Sequence, residues 1–231
     1  MCFSATASFS SGIALMLIGT VTVQSSNVRT HVLFGCIPLL LAVQQFSEGV
    51  VWLALSDPVF EYWKIPATFL FLFFAQVLWP VWIPLSIFLL EKDRNRKKIL
   101  AALLIVGAGV SAYLAYRLFV KHIFAEIIGH HIYYHIGVVN FSLHLSALLY
   151  FLATVVPALV SSVKKMWIFG IAIGTSYIIA NLIYERYVLS VWCFFAALVS
   201  IIVFVILFRL DKTVLFDVNL KRQDVSSSSL F

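Results

Sequence analysis

Long runs of apolar residues, separated by short polar gaps, make up most of this 231-residue chain. A helix needs about 20 mostly apolar residues to cross the hydrocarbon of a bilayer. The runs lack the alternation of apolar and polar positions that is typical of barrel strands, so they predict spanning helices. Seven runs have this character, approximately at 7–24, 32–56, 65–90, 99–120, 137–160, 166–184 and 187–209. The pattern therefore predicts an all-α integral membrane bundle of seven transmembrane helices, formed by residues 1–210.

Basic residues are divided unequally between alternate gaps of this pattern. One set of gaps holds twelve of them: Arg29, Lys92, Arg94, Arg96, Lys97, Lys98, Lys164, Lys165, Arg209, Lys212, Lys221 and Arg222. The opposite set holds four: Lys64, Arg117, Lys121 and Arg186. Because cytoplasmic loops carry the excess of Lys and Arg, this division predicts an outer N-terminus and a cytoplasmic C-terminus. We expect the polar tail, residues 211–231, to be disordered in the cytoplasm.

The composition agrees with a chain that lies in lipid. It is 62% hydrophobic and 11% charged, with a mean hydropathy of +1.03, whereas soluble domains carry roughly 25% charged residues. The net charge of +6 is not arranged as a basic stripe with interleaved aromatic residues, so nucleic-acid binding is not indicated. The expected partner is the lipid bilayer of a cell membrane. The chain begins without a basic segment, so we expect the first apolar run to be retained rather than cleaved as a signal peptide.

One acidic residue interrupts the second apolar run, within the stretch "QQFSEGVVW". A charged carboxylate at such a depth costs roughly 2.5–3.5 kcal/mol even on the gentler insertion scales. Gln44, Glu48 and Trp52 are four residues apart and Gln45 is three before Glu48, so they share one face of a helix. This face should point into the bundle, where Glu48 is expected to contact polar side chains of other helices.

Other intramembrane polar residues gather in the predicted outer halves of the helices. Together they predict an outward-facing pocket that binds a small ligand. Its residues are Glu48, Gln45, Gln76, Asn140, His144 and Asn181. Taken singly, the amides could instead be hydrogen-bonded contacts between helices. In the third run, Pro80 and Pro84 should deprive the carbonyls of Gln76 and Pro80 of their helical partners.

The gap at residues 120–137 holds four of the six histidines, and we expect a short interfacial helix there. His131 and His135 are four residues apart, a helical spacing that suits a divalent metal ion. Cys2 is predicted on the same outer side and could join them as a ligand, act as a nucleophile, pair with Cys193 or carry a lipid. Interfacial histidines without any ligand are the alternative. No other cofactor is indicated.

Three classes of function remain open. The leading hypothesis is binding or sensing of a small ligand, a lipid or a metal ion in the outward pocket. The second is a membrane-embedded, metal-assisted hydrolase with Glu48 as base, and the third is a structural or assembly role without a site. A retinal protein is not indicated, because the last run contains no lysine. The sequence does not decide whether the protein is an enzyme.

Three stretches, "MCFSATASF", "QQFSEGVVW" and "VLWPVWIPLSIFLLE", resemble a family of small, mostly bacterial multi-pass membrane proteins of unknown function. The resemblance is close over about the first 90 residues and looser beyond them. It implies a location in a bacterial-type cell membrane and no particular chemistry.

Overall fold

The computed structural model of the protein describes residues 4–26, 28–136, 142–183, 195 and 198–210. This part of the chain is mostly helical. Its elements are α1 (Ala5–Gln24), α2 (Arg29–Gly35), α3 (Ile37–Ser56), a 3₁₀ segment (Pro58–Trp63), α4 (Lys64–Leu72), a π-helix (Phe73–Leu78), α5 (Trp79–Leu90), α6 (Arg94–Val120), β1 (Ile123–Ile128), β2 (His131–Ile136), α7 (Ser142–Val160), α8 (Met166–Ile183) and α9 (Leu198–Leu210).

Four continuous helical stretches are long and apolar enough to cross a membrane: Ala5–Gln24, Thr30–Ser56, Pro58–Leu90 and Arg94–Val120. Three shorter apolar helices follow them, over Leu145–Val160, Met166–Ala180 and Leu198–Leu210. These stretches overlap the seven predicted runs, and a helical, membrane-compatible protein is confirmed. The predicted tail, 211–231, lies outside the described residues.

Helix α1 is rich in Ser and Thr, which are weak helix formers, yet it is a full-length candidate span. Its hydroxyls donate to carbonyls one turn earlier, as from Thr22 to Ile18 at 2.6 Å and from Thr20 to Met16 at 2.8 Å. Ser4 caps the N-terminus, where its hydroxyl accepts from the backbone N–H of Ala7 at 3.2 Å. These three hydroxyls are thus satisfied within the helix and its cap, as an apolar environment requires.

Small residues bring α1 and α3 into close contact. A Cβ added at Gly12 would lie 2.9 Å from the Phe46 ring, and one at Gly19 would lie 2.6 Å from a methyl group of Leu39. The opposite side of α1 exposes large apolar residues such as Ile13 and Leu17. Close packing on one side and an apolar exposed surface on the other are typical of a helix at the edge of a membrane bundle.

The segment before Pro80 is the π-helix, and two of its carbonyls accept from hydroxyls of neighbouring helices. In a π-helix each carbonyl accepts from the residue five positions later, and Pro80, five residues after Ala75, has no N–H to donate. The Tyr150 hydroxyl of α7 donates to the Ala75 carbonyl at 2.7 Å. The Ser111 hydroxyl of α6 donates to the Val77 carbonyl at 2.6 Å.

The Pro80 carbonyl faces α6 at its closest point. Pro84 has no N–H to donate, as the sequence predicts, and a Cβ added at Gly107 would lie only 1.8 Å from this carbonyl oxygen. The two helices therefore touch backbone to backbone, and the approach suits a weak Cα–H···O contact. Only glycine fits at position 107.

The helix predicted over 120–137 is wrong, because this segment is an antiparallel β-hairpin. Strands β1 and β2 pair with Ala125 opposite Tyr134 and Ile127 opposite Ile132. Alternate side chains of β2 are buried, which is the two-residue period of a strand covering a core on one side. The all-α prediction is correspondingly incomplete.

The described residues form two main apolar clusters. The larger lies between α5, α6, α7, α8 and α9 and includes the T-shaped pair Phe34 and Phe169. The second lies under the hairpin, where Tyr134 stacks on Phe71 of α4 with ring centroids 4.8 Å apart. We call the end of the bundle that carries β1 and β2 the hairpin end, and the end that carries Glu91 and residues 161–165 the opposite end.

Candidate functional site

The polar face of α3 is buried, as the sequence predicts. Glu48 has no exposed surface, while Gln45 is 1% and Gln44 4% exposed. Trp52 is 6% exposed and packs in the apolar cluster under the hairpin. Glu48 therefore lies inside the protein near the hairpin end, away from its surface.

One residue of this face is tied to a neighbouring helix. The indole N–H of Trp79 in α5 donates to Gln44 Oε1 at 2.9 Å, and both side chains are buried. At about 100° per residue, Glu48 is rotated by only about 40° from Gln44, so it lies close to the side of α3 that faces α5. Helix α1 packs on a different side of α3, at Gly49, the residue after Glu48.

Four buried polar atoms near Glu48 have no hydrogen-bond partner among the described residues. They are Ser8 Oγ, Gln45 Oε1, Trp52 Nε1 and Thr68 Oγ1. All four residues are more than nine-tenths buried. Buried polar groups in proteins are almost always paired, so a local concentration of exceptions requires an explanation.

Helix packing brings Ser8 to the level of Glu48. A Cβ at Gly49 would lie 2.8 Å from the ring of Phe9, so the start of α1 lies beside this turn of α3. Ser8 belongs to the buried side of α1, together with Gly12 and the rest of the face that contacts α3.

Thr68 reaches the same level from α4. This helix runs back along α3, and Ala67 and Phe71 share an apolar cluster with Trp52. Thr68 is on the buried side of α4, between Ala67 and Phe71 in sequence. Three helices thus bring buried polar residues to one level of the bundle, and we call this set the Glu48 cluster: Ser8, Gln45, Glu48, Trp52 and Thr68.

A buried arginine lies at the same end of the molecule. Arg117, in the last turn of α6, is 5% exposed, and its guanidinium carbon lies 5.9 Å from the centroid of the Tyr113 ring. Its neighbour Leu118 packs with Trp52 under the hairpin. The division of basic residues placed Arg117 in a gap between spans, although its position one turn after Tyr113 in the fourth apolar run indicates a helical residue.

The other predicted pocket residues are only partly placed. Gln76 lies in the π-helix and is partly exposed. His144 lies near the start of α7 and Asn181 near the end of α8, both toward the hairpin end, but their side chains lie outside the described part of the structure. Asn140 also lies outside the described residues. The structure therefore buries Gln45 and Glu48 on one face of α3, and the pocket itself stays a prediction.

The hairpin separates the two histidines that were expected to share a metal ion. Four residues along a strand span ~13 Å, so the rings of His131 and His135 do not converge. His135 Nε2 lies 2.5 Å from Glu126 Oε1, and its ring stacks on Phe124 with centroids 3.9 Å apart. Partial burial, followed by the nearby charge of His130, lowers the pKa of His131.

The predicted third ligand, Cys2, lies outside the described residues. Within the described ranges, no group of three or more His, Cys, Asp or Glu side chains is arranged to hold a metal ion. A metal site on the hairpin remains a hypothesis that needs ligands from elsewhere in the chain.

A second polar centre, at the opposite end, was missed by the sequence analysis. Glu91 directly follows α5 and is buried. Its carboxylate accepts from the backbone N–H groups of Lys92 and Asp93, both at 3.0 Å, and from the Ser162 N–H at 2.7 Å. The hydroxyls of Ser161, at 3.1 Å, and of Ser162 also donate to it. We call this arrangement the Glu91 clasp.

The clasp determines the ionisation of Glu91. Burial alone would raise the pKa of this carboxyl, but the donors from Ser162, Asp93 and Ser161 outweigh burial and lower its pKa to about 2. The carboxylate therefore remains charged and joins the end of α5 to the loop between α7 and α8. An acid immediately after an apolar run, together with a serine pair after another, was the available sequence signal.

Residues 1–215 match the model of a family described as "Family of unknown function (DUF6629)". This match agrees with the expected resemblance to an uncharacterised family. No curated protein and no solved structure matches the chain.

Proposed function

The chain belongs to DUF6629, a family of unknown function, and we propose that it is a multi-pass membrane protein that binds or senses a small polar ligand or ion in the Glu48 cluster. The observation that carries this proposal is the set of buried polar atoms around Glu48 that lack partners among the described residues. A ligand at this position would pair these groups and offset the cost of their burial.

The chemistry of the cluster favours a ligand with both donors and acceptors. Gln45 Oε1 and the carboxylate of Glu48 accept hydrogen bonds, whereas the Trp52 indole donates one. The hydroxyls of Ser8 and Thr68 do either. A small molecule with ammonium or hydroxyl groups fits this set, and a cation that prefers oxygen ligands is the alternative.

We further propose that all seven helices cross the membrane, with the hairpin end outside and the Glu91 end in the cytoplasm. The division of basic residues between the two sets of gaps supports this orientation. A bacterial cell membrane is the proposed location. In this arrangement the Glu48 cluster opens toward the outside, and His144, Asn181, Asn140 and Gln76 are proposed to complete it.

The ligand is tested by native mass spectrometry and elemental analysis of the protein purified in mild detergent. We expect the wild type to retain a small molecule or ion that the Glu48→Gln variant loses. The control is Glu126→Gln, which removes an exposed carboxylate on the hairpin. Identical bound species in all three proteins, or none in any of them, would overturn the proposal.

Gln45→Leu separates a ligand site from purely structural packing. This substitution removes an acceptor that has no partner among the described residues. If the cluster were only packing, the variant would be as stable as the wild type or more stable. If the cluster binds a ligand, the variant loses the bound species, and its melting temperature no longer falls when the wild-type ligand is removed by exchange.

The orientation is tested separately with single cysteines in a cysteine-free background. A membrane-impermeant maleimide applied to intact cells should label Ile128→Cys on the hairpin and should leave Arg94→Cys unlabelled. The reverse pattern would place the Glu48 cluster on the cytoplasmic side. Among the described residues, no three suitable side chains are grouped to hold a metal ion. The hydrolase hypothesis would therefore need metal ligands from the rest of the chain.

A further inference from the structure

Two loops meet at the opposite end of the bundle and form one strongly basic surface. The loop between α5 and α6 and the loop between α7 and α8 are joined by the Glu91 clasp. A second link comes from Arg96, whose guanidinium donates to the Val160 carbonyl at 2.7 Å. These contacts fix the first turn of α6 against the end of α7.

Seven cationic side chains lie on these two loops and on the first turn of α6. We call them the basic surface: Lys92, Arg94, Arg96, Lys97, Lys98, Lys164 and Lys165. Arg96 and Lys97 have internal partners, since Lys97 lies 4.9 Å above the ring of Phe88. The others are available, and Lys92, Arg94, Lys98 and Lys164 are exposed.

The two acidic residues of these loops do not neutralise the cations. Glu91 is buried in the clasp, and Asp93 caps α6, where its carboxylate accepts from the N–H groups of Asn95 at 3.0 Å and of Arg96 at 2.8 Å. Within the described ranges, no ion pair joins a cation of the basic surface to a carboxylate. The surface therefore keeps a net positive charge that an external anion can balance.

Exposed apolar side chains lie directly beside these cations. Ile99 follows Lys98 and is 49% exposed, and Trp167 follows Lys165 by two residues and is 56% exposed. Leu159, one residue before the carbonyl that Arg96 contacts, is 47% exposed. Cations that border an apolar surface suit a partner with a phosphate group and hydrocarbon chains, whereas a free anion would leave the apolar side chains without a role.

We propose that the basic surface binds the headgroups of anionic phospholipids, with their acyl chains against Ile99, Leu159 and Trp167. The Glu91 clasp positions this surface, because it holds the residue 161–165 loop beside the first turn of α6. This site is separate from the Glu48 cluster and lies at the other end of the bundle. It requires a membrane protein but does not depend on the ligand proposed above.

The proposal is tested with full-length protein reconstituted in nanodiscs that contain phosphatidylglycerol and phosphatidylcholine. Native mass spectrometry after gentle release reports which lipids remain bound. We expect the wild type to retain phosphatidylglycerol preferentially. Each cation near a membrane surface contributes a factor of roughly five, so Arg94→Gln/Lys98→Gln/Lys164→Gln should lose on the order of 100-fold in this preference. The control, Lys64→Gln/Lys121→Gln at the hairpin end, should keep it.

Glu91→Gln distinguishes a built site from general attraction by charge. This variant increases the net positive charge, so simple attraction would strengthen phosphatidylglycerol retention. Loss of the clasp should instead weaken it. Stronger retention in this variant, or equal retention in the triple variant and its control, would overturn the proposal. A thermal melt of each variant confirms that it is folded.

Inorganic phosphate tests whether the basic surface binds a free phosphate ion rather than a phospholipid headgroup. If the basic surface bound free phosphate, millimolar phosphate would displace phosphatidylglycerol, and Trp167→Ala would have no effect. We expect no displacement by phosphate beyond that produced by chloride at the same ionic strength. Trp167→Ala should weaken lipid retention.

Discussion

Trp79 donates its indole N–H to Gln44 across the buried boundary between α5 and α3, with 2.9 Å between Nε1 and Oε1. This bond connects the first residue after the π-helix to the polar face of α3, one turn before Glu48. It therefore fixes the position of the Glu48 cluster relative to α5.

Gln44→Leu should destabilise the protein, because it leaves the Trp79 indole N–H buried without its acceptor. We expect a loss of about 1–3 kcal/mol in the free energy of unfolding, measured by thermal or denaturant unfolding in detergent. Gln24→Leu, at the exposed last residue of α1, is the control and should change stability by less than about 0.5 kcal/mol. Equal losses in the two variants would show that the indole hydrogen bond makes no specific contribution to the free energy of unfolding.

Gly107→Ala should separate α5 from α6, because the new Cβ would lie 1.8 Å from the Pro80 carbonyl oxygen. Backbone atoms cannot rotate away as a side chain does, so the cost should reach or exceed the upper end of the ~1–3 kcal/mol typical of overpacking. Gly109→Ala is a matched control two residues along the same helix, where a Cβ meets nothing within 4 Å. We expect poor yield and aggregation on size-exclusion chromatography for Gly107→Ala alone. Two variants with similar elution profiles would contradict the close approach of the helices.

Gly129→Ala should weaken the hairpin although there is open space around the position. Gly129 has φ of +63° at the first of two residues that join β1 to β2, where a side chain costs roughly 1–2 kcal/mol. Trypsin cleavage after Lys121 should accelerate in this variant. Gly109→Ala, with equally open space in a helix, should leave the cleavage rate unchanged. Unchanged cleavage in both would mean that the turn tolerates the side chain.

Acid should remove the contribution of the Glu91 clasp. The pKa of Glu91 is lowered to about 2 in the folded protein, below the ~4.3 of an unfolded glutamate. The clasp therefore stabilises the protein fully at neutral pH, and this stabilisation is lost progressively as the pH falls from about 4.5 to about 2. The melting temperature of Glu91→Gln should lie below that of the wild type at pH 7, with the difference shrinking over this window. A difference that stays constant with pH would contradict the assignment.

Helix positions were predictable because long apolar runs leave little freedom in lipid, and all seven runs end within one residue of the end of an observed helix. The burial of Gln44 and Glu48 followed from the cost of a charge in hydrocarbon.

The hairpin was missed because His131 and His135, four residues apart, were taken as neighbours on a helix. The same residues fit a strand, since every second residue of β2 points the same way. The π-helix was also missed, because the proline pattern does not distinguish an α-helix from a π-helix. Ser8, Thr68 and the Glu91 clasp depend on contacts between distant segments, which no local pattern reveals.

The hydroxyls on α6 and α7 that serve the Ala75 and Val77 carbonyls set an order for biogenesis. Residues 58–90 precede both donors along the chain, so these two carbonyls gain the Ser111 and Tyr150 hydroxyls only when α6 and α7 pack beside them. The segment becomes fully stable only when α6 and α7 arrive beside it. A chain truncated before Tyr150 should therefore be a substrate for membrane quality-control proteases, even though its first four apolar segments are complete.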